Sequence, residues 1–456
     1  MALARSFGGL LLVLIASLVF AIAPGARATQ EAPTMRTAPP PAVEPPSEAP
    51  ATESKTEVER YTLSHDRYEK AVSYSRAGYA LYFLSVFVTL ATLFLALRLQ
   101  VVARIRDAAL RVSENRLAQG CVFIALLVLL VDLAELPVHV AWHALSLQYQ
   151  QSVQRWPSWF ADVAKSEAIN ALFMLLMGLI LFFVIRKSPR RWWFYFWLAA
   201  LPIILAAFFL EPLVIDPLFY KFQPLAKSDP ELAGKLEKLT ARAGLNIPRE
   251  RMFLMNASSK TNQLNAYVTG FGASKRVVIY DNLVRNMTPQ ETLFVFGHES
   301  GHYVLNHVRN AILFFAASLL FALWLAYRLL NWSLNRWGAR WKVYGPQDWG
   351  ALAVLLLLLE GISFLALPVV NGYSRVVEHN ADVFGLEVIH GLVPDSSRVA
   401  AHAFQIMGEI DLSDPNPPPF ITFWLYSHPP LAERLVFAHS YDPWSKNQAP
   451  RYIRTK

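Results

Sequence analysis

The sequence predicts a mainly α-helical protein that crosses a membrane several times and carries a small β-sheet. Of its 456 residues, 54% are hydrophobic, and the mean hydropathy is +0.30. This composition places much of the chain in a bilayer. Six apolar runs are each long enough, or nearly so, to cross about 30 Å of hydrocarbon. They are residues 81–97, 122–140, 168–184, 192–210, 311–330 and 351–370.

The N-terminal region precedes these six spans and has two interpretations. Residues 7–23 are apolar, follow Arg5 and precede Ala26-Arg27-Ala28, a sequence typical of a signal-peptide cleavage site. This segment is therefore either a signal peptide or an N-terminal anchor that stays in the membrane. The next stretch, up to residue 60, is rich in proline, alanine, glutamate and threonine. Because that composition cannot form a core, it predicts a disordered linker.

Residues 213–310, between the fourth and fifth spans, supply the predicted sheet. Segments 251–257, 266–269 and 276–280 predict strands, and the glycines between the last two predict a hairpin. Residues 288–291, Thr-Pro-Gln-Glu, form a capping box with proline at the first helical position. They predict that a helix begins there and continues through the apolar residues that follow.

His298, Glu299 and His302 form the pattern HExxH in the middle of that helix. Two imidazoles four residues apart lie on one helical face and can share one metal ion. Glu299 then lies beside the open position of the ion, where it can take a proton from the attacking water. The alternative is a pair of surface histidines on an ordinary helix. The pattern favours a zinc site that hydrolyses peptide bonds.

Such a site needs a third protein ligand, usually a carboxylate on a later helix, which leaves one tetrahedral position open for water. Glu378 is the best candidate, in a polar helical stretch 76 residues after His302. On spacing alone, a solvated helix residue remains the alternative for Glu378. Asp382, one helical turn further on, is placed to accept the second ring N–H of a ligand histidine. Because Cys121 is the only cysteine, histidine and carboxylate must hold any zinc.

Several motifs of the chain resemble those of the type I CAAX prenyl proteases, which are integral-membrane zinc endopeptidases. The resemblance is strong from about residue 200 to 440, and the motifs occur in the order of the family. They are residues 217–225, 265–267, 276–281, 298–302, 374–375 with 378–382, and 428–429 with Arg434. The resemblance implies a polytopic helical membrane protein with a gluzincin zinc-protease domain. It also implies a seventh span near the N-terminus and a water-filled chamber enclosed by the spans.

The resemblance further implies roles for individual residues of the catalytic site. Glu378 becomes the third ligand of one zinc ion, beside His298 and His302. His428 matches the residue that acts as a second electrophile toward the oxyanion, and Arg434 supports its surroundings. Peptide hydrolysis is then expected to proceed without a covalent intermediate.

The resemblance also implies a binding edge for the substrate. Asn265, Ala266 and Tyr267 match the sheet edge that pairs with the backbone of a bound peptide, a form of strand addition. From the residues alone, a turn role for the Asn265 side chain remains equally open. The expected partners are the lipid bilayer and a peptide or protein substrate. The resemblance is compatible with a lipidated substrate.

These features divide the chain into six predicted regions. In order, they are a signal peptide or anchor at 1–28, a proline-rich linker at 29–60, four spans at 61–212, a catalytic region with the HExxH helix at 213–310, two spans at 311–371, and a C-terminal catalytic region with the third ligand at 372–456. Both ligand-bearing helices therefore adjoin membrane spans, and we expect the metal near the bilayer interface or within a cavity bounded by the spans.

The net charge of +8 comes from basic loops beside the spans and does not indicate nucleic acid. Arginine and lysine cluster at 98–116, 186–191 and 328–342, which lie on one side if six spans alternate. Because basic loops favour the cytoplasmic side, we expect the catalytic regions on the periplasmic side of a bacterial inner membrane. The eukaryotic members of the family differ, since their catalytic regions face the cytosol.

Three function hypotheses follow from these patterns. The first is a membrane zinc metalloendopeptidase of the CAAX type, which cuts near the C-terminus of lipidated or extended peptides. The second keeps this chemistry in a quality-control protease that acts on misfolded membrane proteins. The third is a transporter or scaffold with a structural zinc. Glu299 argues against the third hypothesis, because a structural site needs no base.

Overall fold

A computed structural model describes residues 60–270 and 275–453, which are mainly helical. The interpretations of residues 1–28, nearly all of the 29–60 linker and most of the predicted hairpin turn lie outside the described residues. Within the described ranges, six helices are long and apolar enough to cross a membrane. The six predicted spans are therefore confirmed.

The helices that contain the spans extend beyond the apolar runs, since polar residues continue the same hydrogen-bonded ladder outside the hydrocarbon. They are α1 (His65–Arg98), α3 (Arg116–Gln148), α4 (Trp156–Lys187), α5 (Trp192–Leu210), α11 (His307–Trp341) and α12 (Ala351–Ile389), where α5 continues through a π-helical turn, Glu211–Ile215, into α6 (Asp216–Phe219). A short helix, α2 (Val101–Val112), connects α1 to α3.

The remaining helices belong to the two predicted catalytic regions. They are α7 (Leu225–Ser228), α8 (Pro230–Arg242), α9 (Asp281–Asn286), α10 (Pro289–Val304), α13 (Ser396–Ile410), α14 (Pro419–Leu425) and α15 (Leu431–Ser440). Helix α10 begins as predicted, because the Thr288 hydroxyl accepts from the Glu291 amide while the Glu291 carboxylate accepts from the Thr288 amide.

Four strands form one sheet in the order β1, β2, β4, β3, with bounds Phe222–Pro224, Met252–Met255, Arg276–Tyr280 and Ala266–Thr269. Strands β3 and β4 pair antiparallel, as the predicted hairpin requires, whereas β2 and β4 pair parallel. The strand predicted at 251–257 is shorter, since 3₁₀ turns flank it at both ends. The three-residue β1 was missed because it is too short for a period-two pattern. Strand β3 lies at an edge of the sheet.

Helices α10 and α12 cross with their backbones in close contact. A Cβ at Gly385 of α12 would lie 3.0 Å from the His298 nitrogen and 3.2 Å from its Cα. A Cβ at Gly297 of α10 would lie 3.2 Å from the Gly385 oxygen and 2.8 Å from Val388 Cγ1. Only glycine permits backbones to approach this closely. The crossing therefore holds the HExxH segment directly against the C-terminal part of α12.

The three basic loops meet at one end of the helices. Arg106 of α2 donates to Asp348 Oδ2 at 2.8 Å and also bonds the Lys342 carbonyl. The Arg186 guanidinium lies 5.7 Å from the centre of the Trp349 ring. These contacts join the loops after α1, α4 and α11. Their side of the membrane stays a prediction.

Alanine substitutions at Gly385 and at Gly361, both on α12, should have opposite effects on stability. Gly385→Ala should lower the free energy of unfolding by about 1–3 kcal/mol, because the added methyl group forces the α10 and α12 backbones apart. Gly361 has no atom within 4 Å of its built Cβ, so Gly361→Ala should raise stability by about 0.5–1 kcal/mol through helix propensity. Thermal unfolding followed by tryptophan fluorescence measures both. Equal melting temperatures would show that the crossing tolerates a wider spacing.

Candidate functional site

Two imidazoles and one carboxylate converge where α10 crosses α12. The Nε2 atoms of His298 and His302 lie 3.2 Å apart, and Glu378 Oε2 lies 3.2 Å from His298 Nε2. Glu378 Oε1 lies 3.7 Å from His302 Nε2. All three residues are buried, and one ligand atom from each lies within 4.8 Å of the others. The four-residue spacing on α10 therefore supplies two ligand atoms on one face, and α12 supplies the third.

This donor set fits a divalent metal ion. Although imidazole nitrogens lie near Glu378 Oε2, none is aligned for a hydrogen bond, and this buried oxygen has no hydrogen-bond partner within the described ranges. A buried carboxylate oxygen without a partner is costly unless a cation lies beside it. Two imidazole nitrogens and one carboxylate are also a set of ligands that zinc enzymes use. The residues present at this crossing therefore suit a metal ion.

Asp382, one turn after Glu378 on α12, orients the first histidine. Its Oδ1 atom lies 2.8 Å from His298 Nδ1. If Nδ1 donates to this carboxylate, the lone pair of Nε2 is left facing His302 and Glu378. Arg434 binds Asp382 with two nitrogens, at 2.8 Å for Nε to Oδ2 and 2.6 Å for Nη2 to Oδ1. Burial opposes the charge of Arg434, but its ion pair with Asp382 prevails and raises the pKa of the guanidinium.

The two histidines differ in their electrostatic surroundings. Burial lowers the pKa of His302 to about 3, so its ring is neutral, which is the form that binds metals. Burial also disfavours the charged form of His298, but the hydrogen bond to Asp382 and the negative charge of the Glu378 carboxylate outweigh it and raise the pKa to about 10. The same carboxylates that stabilise a proton on His298 attract a divalent cation. His307 lies 3.3 Å from His302, Nδ1 to Nδ1.

Glu299 lies between the two histidines in sequence and lines a cavity of about 430 Å³. Burial raises the pKa of its carboxyl to about 8, with the charge of Glu378 adding to the effect. A cation held by the neighbouring histidines would lower this pKa toward neutrality. A carboxyl group that titrates near neutral pH suits proton transfer to and from a reacting group. The structure thus places Glu299 at the wall of a cavity that His298 and His428 also line.

His428 approaches from the C-terminal region. Its Nε2 atom lies 3.0 Å from Glu378 Oε2, and its Nδ1 atom lies 3.0 Å from the Ser427 hydroxyl. It lines the same cavity as Glu299. The structure therefore brings His428 to the three converging residues, although it comes from a loop 50 residues after Glu378.

Arg375 and Asn371 hold the segment that carries His428, and the sequence reasoning assigned neither residue a role. Arg375 Nη1 donates to the Tyr426 carbonyl at 2.6 Å and to the Thr422 carbonyl at 3.1 Å. Asn371 Nδ2 donates to the Trp424 carbonyl at 2.7 Å. Both residues lie on α12, up to two turns before Glu378. The only available signal was the position of Arg375 within the matched motif at 374–375.

The predicted substrate edge adjoins the same cavity. Asn265 lines it, and Ala266 and Tyr267 follow on the edge strand β3. The Asn265 side chain accepts a hydrogen bond from the Ala266 amide at 2.8 Å, which agrees with the local role left open for it. The Tyr267 hydroxyl donates to Asp216 Oδ2 at 2.8 Å and so ties β3 to α6. Asn265, just before β3, and His298 therefore line one cavity.

Comparisons with known proteins cover both parts of the chain. Residues 226–441 match the model of peptidase family M48, and residues 51–221 match the model described as CAAX prenyl protease N-terminal, five membrane helices. A protein of Bacillus subtilis named uncharacterized metalloprotease YhfN is 31% identical over 378 residues, which cover 83% of this chain and 87% of that protein.

Two further similarities concern eukaryotic proteins. A CAAX prenyl protease 1 homolog of rice, Oryza sativa subsp. japonica, is 34% identical over 241 residues, which cover 52% of this chain and 53% of that protein. The chain thus spans about half the length of this plant relative. The crystal structure of S. mikatae Ste24p matches with a TM-score of 0.72 and 24% identity, and the match covers 83% of this chain and 90% of that one. This structural likeness shows a shared fold.

Removing the Arg375 guanidinium should impair catalysis through His428. In Arg375→Met, we expect kcat for peptide cleavage to fall by about tenfold to a hundredfold, because the released loop no longer holds the imidazole in place. Metal content and KM should change little. In a His428→Ala background, the same substitution should cost nothing further, because the group it positions is already absent.

The matched control is Arg67→Met. Arg67 is an exposed arginine that also donates to a backbone carbonyl, that of Glu409 at 2.9 Å, but it does not hold the His428 segment. This variant should keep wild-type kcat. Additive losses from Arg375→Met and His428→Ala, measured as kcat, would mean that Arg375 acts independently of His428.

Proposed function

The chain belongs to the type I CAAX protease family within peptidase family M48, and on this premise we propose that His298, His302 and Glu378 hold one catalytic zinc ion. The protein is an integral-membrane metalloendopeptidase, as its family and its apolar helices indicate. One observation carries the zinc proposal: the buried Glu378 Oε2 atom, which has no hydrogen-bond partner among the described residues, lies 3.2 Å from His298 Nε2 and 3.0 Å from His428 Nε2. Membership of a metalloprotease family also disfavours the transporter or scaffold hypothesis.

In the proposed reaction, the ion and the side chains that line the cavity have separate roles. When bound, zinc supplies a Lewis acid that polarises the scissile carbonyl and lowers the pKa of water toward about 7. Glu299 takes a proton from the attacking water and delivers it to the leaving amine. His428 donates a hydrogen bond to the oxyanion that forms on the peptide carbonyl. Its place in the same cavity as Glu299 supports this role.

Asp382 and Arg434 support the proposed metal ligands through hydrogen bonds. Asp382 accepts from His298 Nδ1 and so keeps Nε2 available as a ligand atom. Arg434 holds Asp382 through two hydrogen bonds and lies 4.4 Å from the centre of the Phe404 ring. Its charge offsets part of the negative charge that Asp382 and Glu378 bring to the buried site. We assign both residues a supporting role.

A peptide substrate is proposed to bind in an extended form along β3. An edge strand presents unpaired backbone groups, so a peptide can add to the sheet next to the catalytic residues. Asn265, Ala266 and Tyr267 are the proposed contacts. The position of Asn265 at the cavity wall supports them.

The proposed substrates are peptides or proteins cut near a lipidated C-terminus. The names of the eukaryotic relatives, CAAX prenyl protease 1 homologs, support this class. The second candidate is a quality-control protease for misfolded membrane proteins, because the name of the Bacillus subtilis relative gives a metalloprotease and no substrate. In both cases the enzyme meets its substrate at the membrane.

The proposed location is a bacterial inner membrane, with the catalytic regions on the periplasmic side. The three basic loops meet at the end of the spans that lies away from α10, through the Arg106 to Asp348 and Arg186 to Trp349 contacts. Basic loops are retained on the cytoplasmic side during insertion. Because the catalytic regions lie at the opposite end of the same spans, they are then outside the cytoplasm.

The proton transfer proposed for Glu299 can be tested by an isosteric change. Glu299→Gln should lower kcat by about a hundredfold or more, since the amide cannot accept the proton, while zinc content stays near one ion per chain. Peptide cleavage and metal analysis of the same preparation measure both. Glu378→Ala is the matched control, because it should lose zinc as well as activity. Near-normal turnover in Glu299→Gln would remove this residue from the mechanism.

Prenylated and unprenylated versions of one peptide separate the two substrate classes. If the enzyme recognises lipidated C-termini, kcat/KM should be at least about tenfold higher for the prenylated peptide, since burial of the prenyl chain adds binding energy. The cleavage should stop with a chelator and return with zinc. Equal kcat/KM for the two peptides would favour the quality-control protease.

The proposed orientation predicts where a reporter enzyme is active. A reporter that folds only in the periplasm should be active when fused near Lys227 and silent when fused near Arg106. A cysteine at Ser228, introduced with Cys121→Ser to remove the native thiol, should react with an impermeant reagent in intact cells. Labelling that requires lysis would place the catalytic regions in the cytoplasm.

A further inference from the structure

We propose that Arg186 and Trp349 form a binding site for the phosphate group of an anionic lipid, at the end of the spans opposite the catalytic residues. The site, termed the crevice, is the junction where α3, α4 and the start of α12 pack together. Trp349 precedes α12 and packs on Phe182 at 4.3 Å and on Phe123 at 6.4 Å between ring centres. A Cβ at Gly120 would lie 2.6 Å from the Trp349 ring, so the indole fills the space between α3 and α4.

Two buried donors in this crevice have no acceptor. Arg186 Nη1 and Trp349 Nε1 are both shielded from solvent and lack a hydrogen-bond partner among residues 60–270 and 275–453. Trp349 is only 4% exposed. The guanidinium of Arg186 lies 5.7 Å from the centre of the Trp349 ring, so the two groups border one place. Leaving such donors unpaired is costly, and it is most costly for a charged group.

The surroundings of this pair carry positive charge. Arg116, the first residue of α3, lies close enough to repel the charge of Arg186. Lys187 and Arg190 follow Arg186 in the same loop. The nearby carboxylate of Asp348 is already engaged, because it accepts from Arg106 Nη1 at 2.8 Å and from the Gly350 amide at 2.8 Å. Asp348 therefore already has partners and does not pair with Arg186.

A lipid phosphate meets these requirements. Its oxygens accept two parallel hydrogen bonds from one guanidinium, and they are charged, as the excess of arginine and lysine demands. The crevice lies where membrane spans end and basic residues begin, which is the level of lipid headgroups. Basic pockets between membrane helices at this level bind anionic headgroups. A long arginine that only reaches toward water would expose its terminal nitrogens, whereas Arg186 Nη1 is buried.

Native mass spectrometry of the full-length protein in detergent tests the proposal, with phosphatidylglycerol as the probe and phosphatidylcholine as the neutral lipid. We expect one tightly retained phosphatidylglycerol, and binding weaker by about tenfold or more in Arg186→Gln, because the charged hydrogen bonds are lost. Lys187→Gln is the matched control. It removes the same charge one residue further along, where the side chain is exposed, and should leave the affinity within about twofold.

Trp349→Phe keeps a six-membered aromatic ring and removes the N–H together with the five-membered ring of the indole, so it should weaken phosphatidylglycerol binding while the protein stays folded. Equal losses of phosphatidylglycerol affinity in Arg186→Gln and Lys187→Gln would show that only diffuse surface charge attracts the lipid, and would overturn the proposed site. So would equal retention of phosphatidylglycerol and phosphatidylcholine. Displacement of the lipid by millimolar inorganic phosphate would identify a free-phosphate site and overturn the lipid assignment. Because peptide cleavage is not the readout, these results are independent of the proposed protease function.

Discussion

The close backbone contact between α10 and α12 is the constraint on which the rest of the site depends. With glycine at positions 297 and 385, the two helices approach until the backbone of His298 touches α12. Glu378 lies two turns before Gly385 on α12, and its carboxylate therefore reaches the histidine ring nitrogens. A side chain at either glycine would hold the helices apart, and atoms that now lie about 3 Å from one another would no longer share an ion.

A second constraint is the balance of buried charge around this crossing. Glu378 and Asp382 are both almost fully buried, and Arg434 is the guanidinium that pairs with Asp382. Buried carboxylates persist only where cations or donors offset their loss of hydration. Arg434 and His298 satisfy Asp382, whereas Glu378 keeps an oxygen without a hydrogen bond. The divalent ion that we propose supplies the missing charge, so metal binding and the stability of the crossing should be linked.

The spans connect this site to both surfaces of the membrane. Near its C-terminal end, helix α12 carries Glu378 and also Asn371 and Arg375, which hold the His428 segment. At its other end, the helix begins just after Trp349. Helix α1 contributes at the catalytic end, where the Tyr79 hydroxyl lies 2.7 Å from that of Tyr426, two residues before His428. The side chains that we propose as catalytic are therefore held by membrane helices as much as by the small sheet, and the spans form part of the cavity wall.

The sequence by itself determined the features that depend on near neighbours in the chain. Hydropathy located six spans, the capping box at Thr288 located the start of α10, and the spacing of HExxH put two imidazoles on one face. Each of these follows from the helical period and from local hydrogen bonds. Only the tertiary structure decided what meets across long separations. Spacing alone left Glu378 open between ligand and surface residue, and it gave no hint that Arg375 holds the His428 loop or that Arg434 binds Asp382. Such contacts arise from how helices cross, which depends on packing at positions such as Gly385 and leaves no periodic pattern in the sequence.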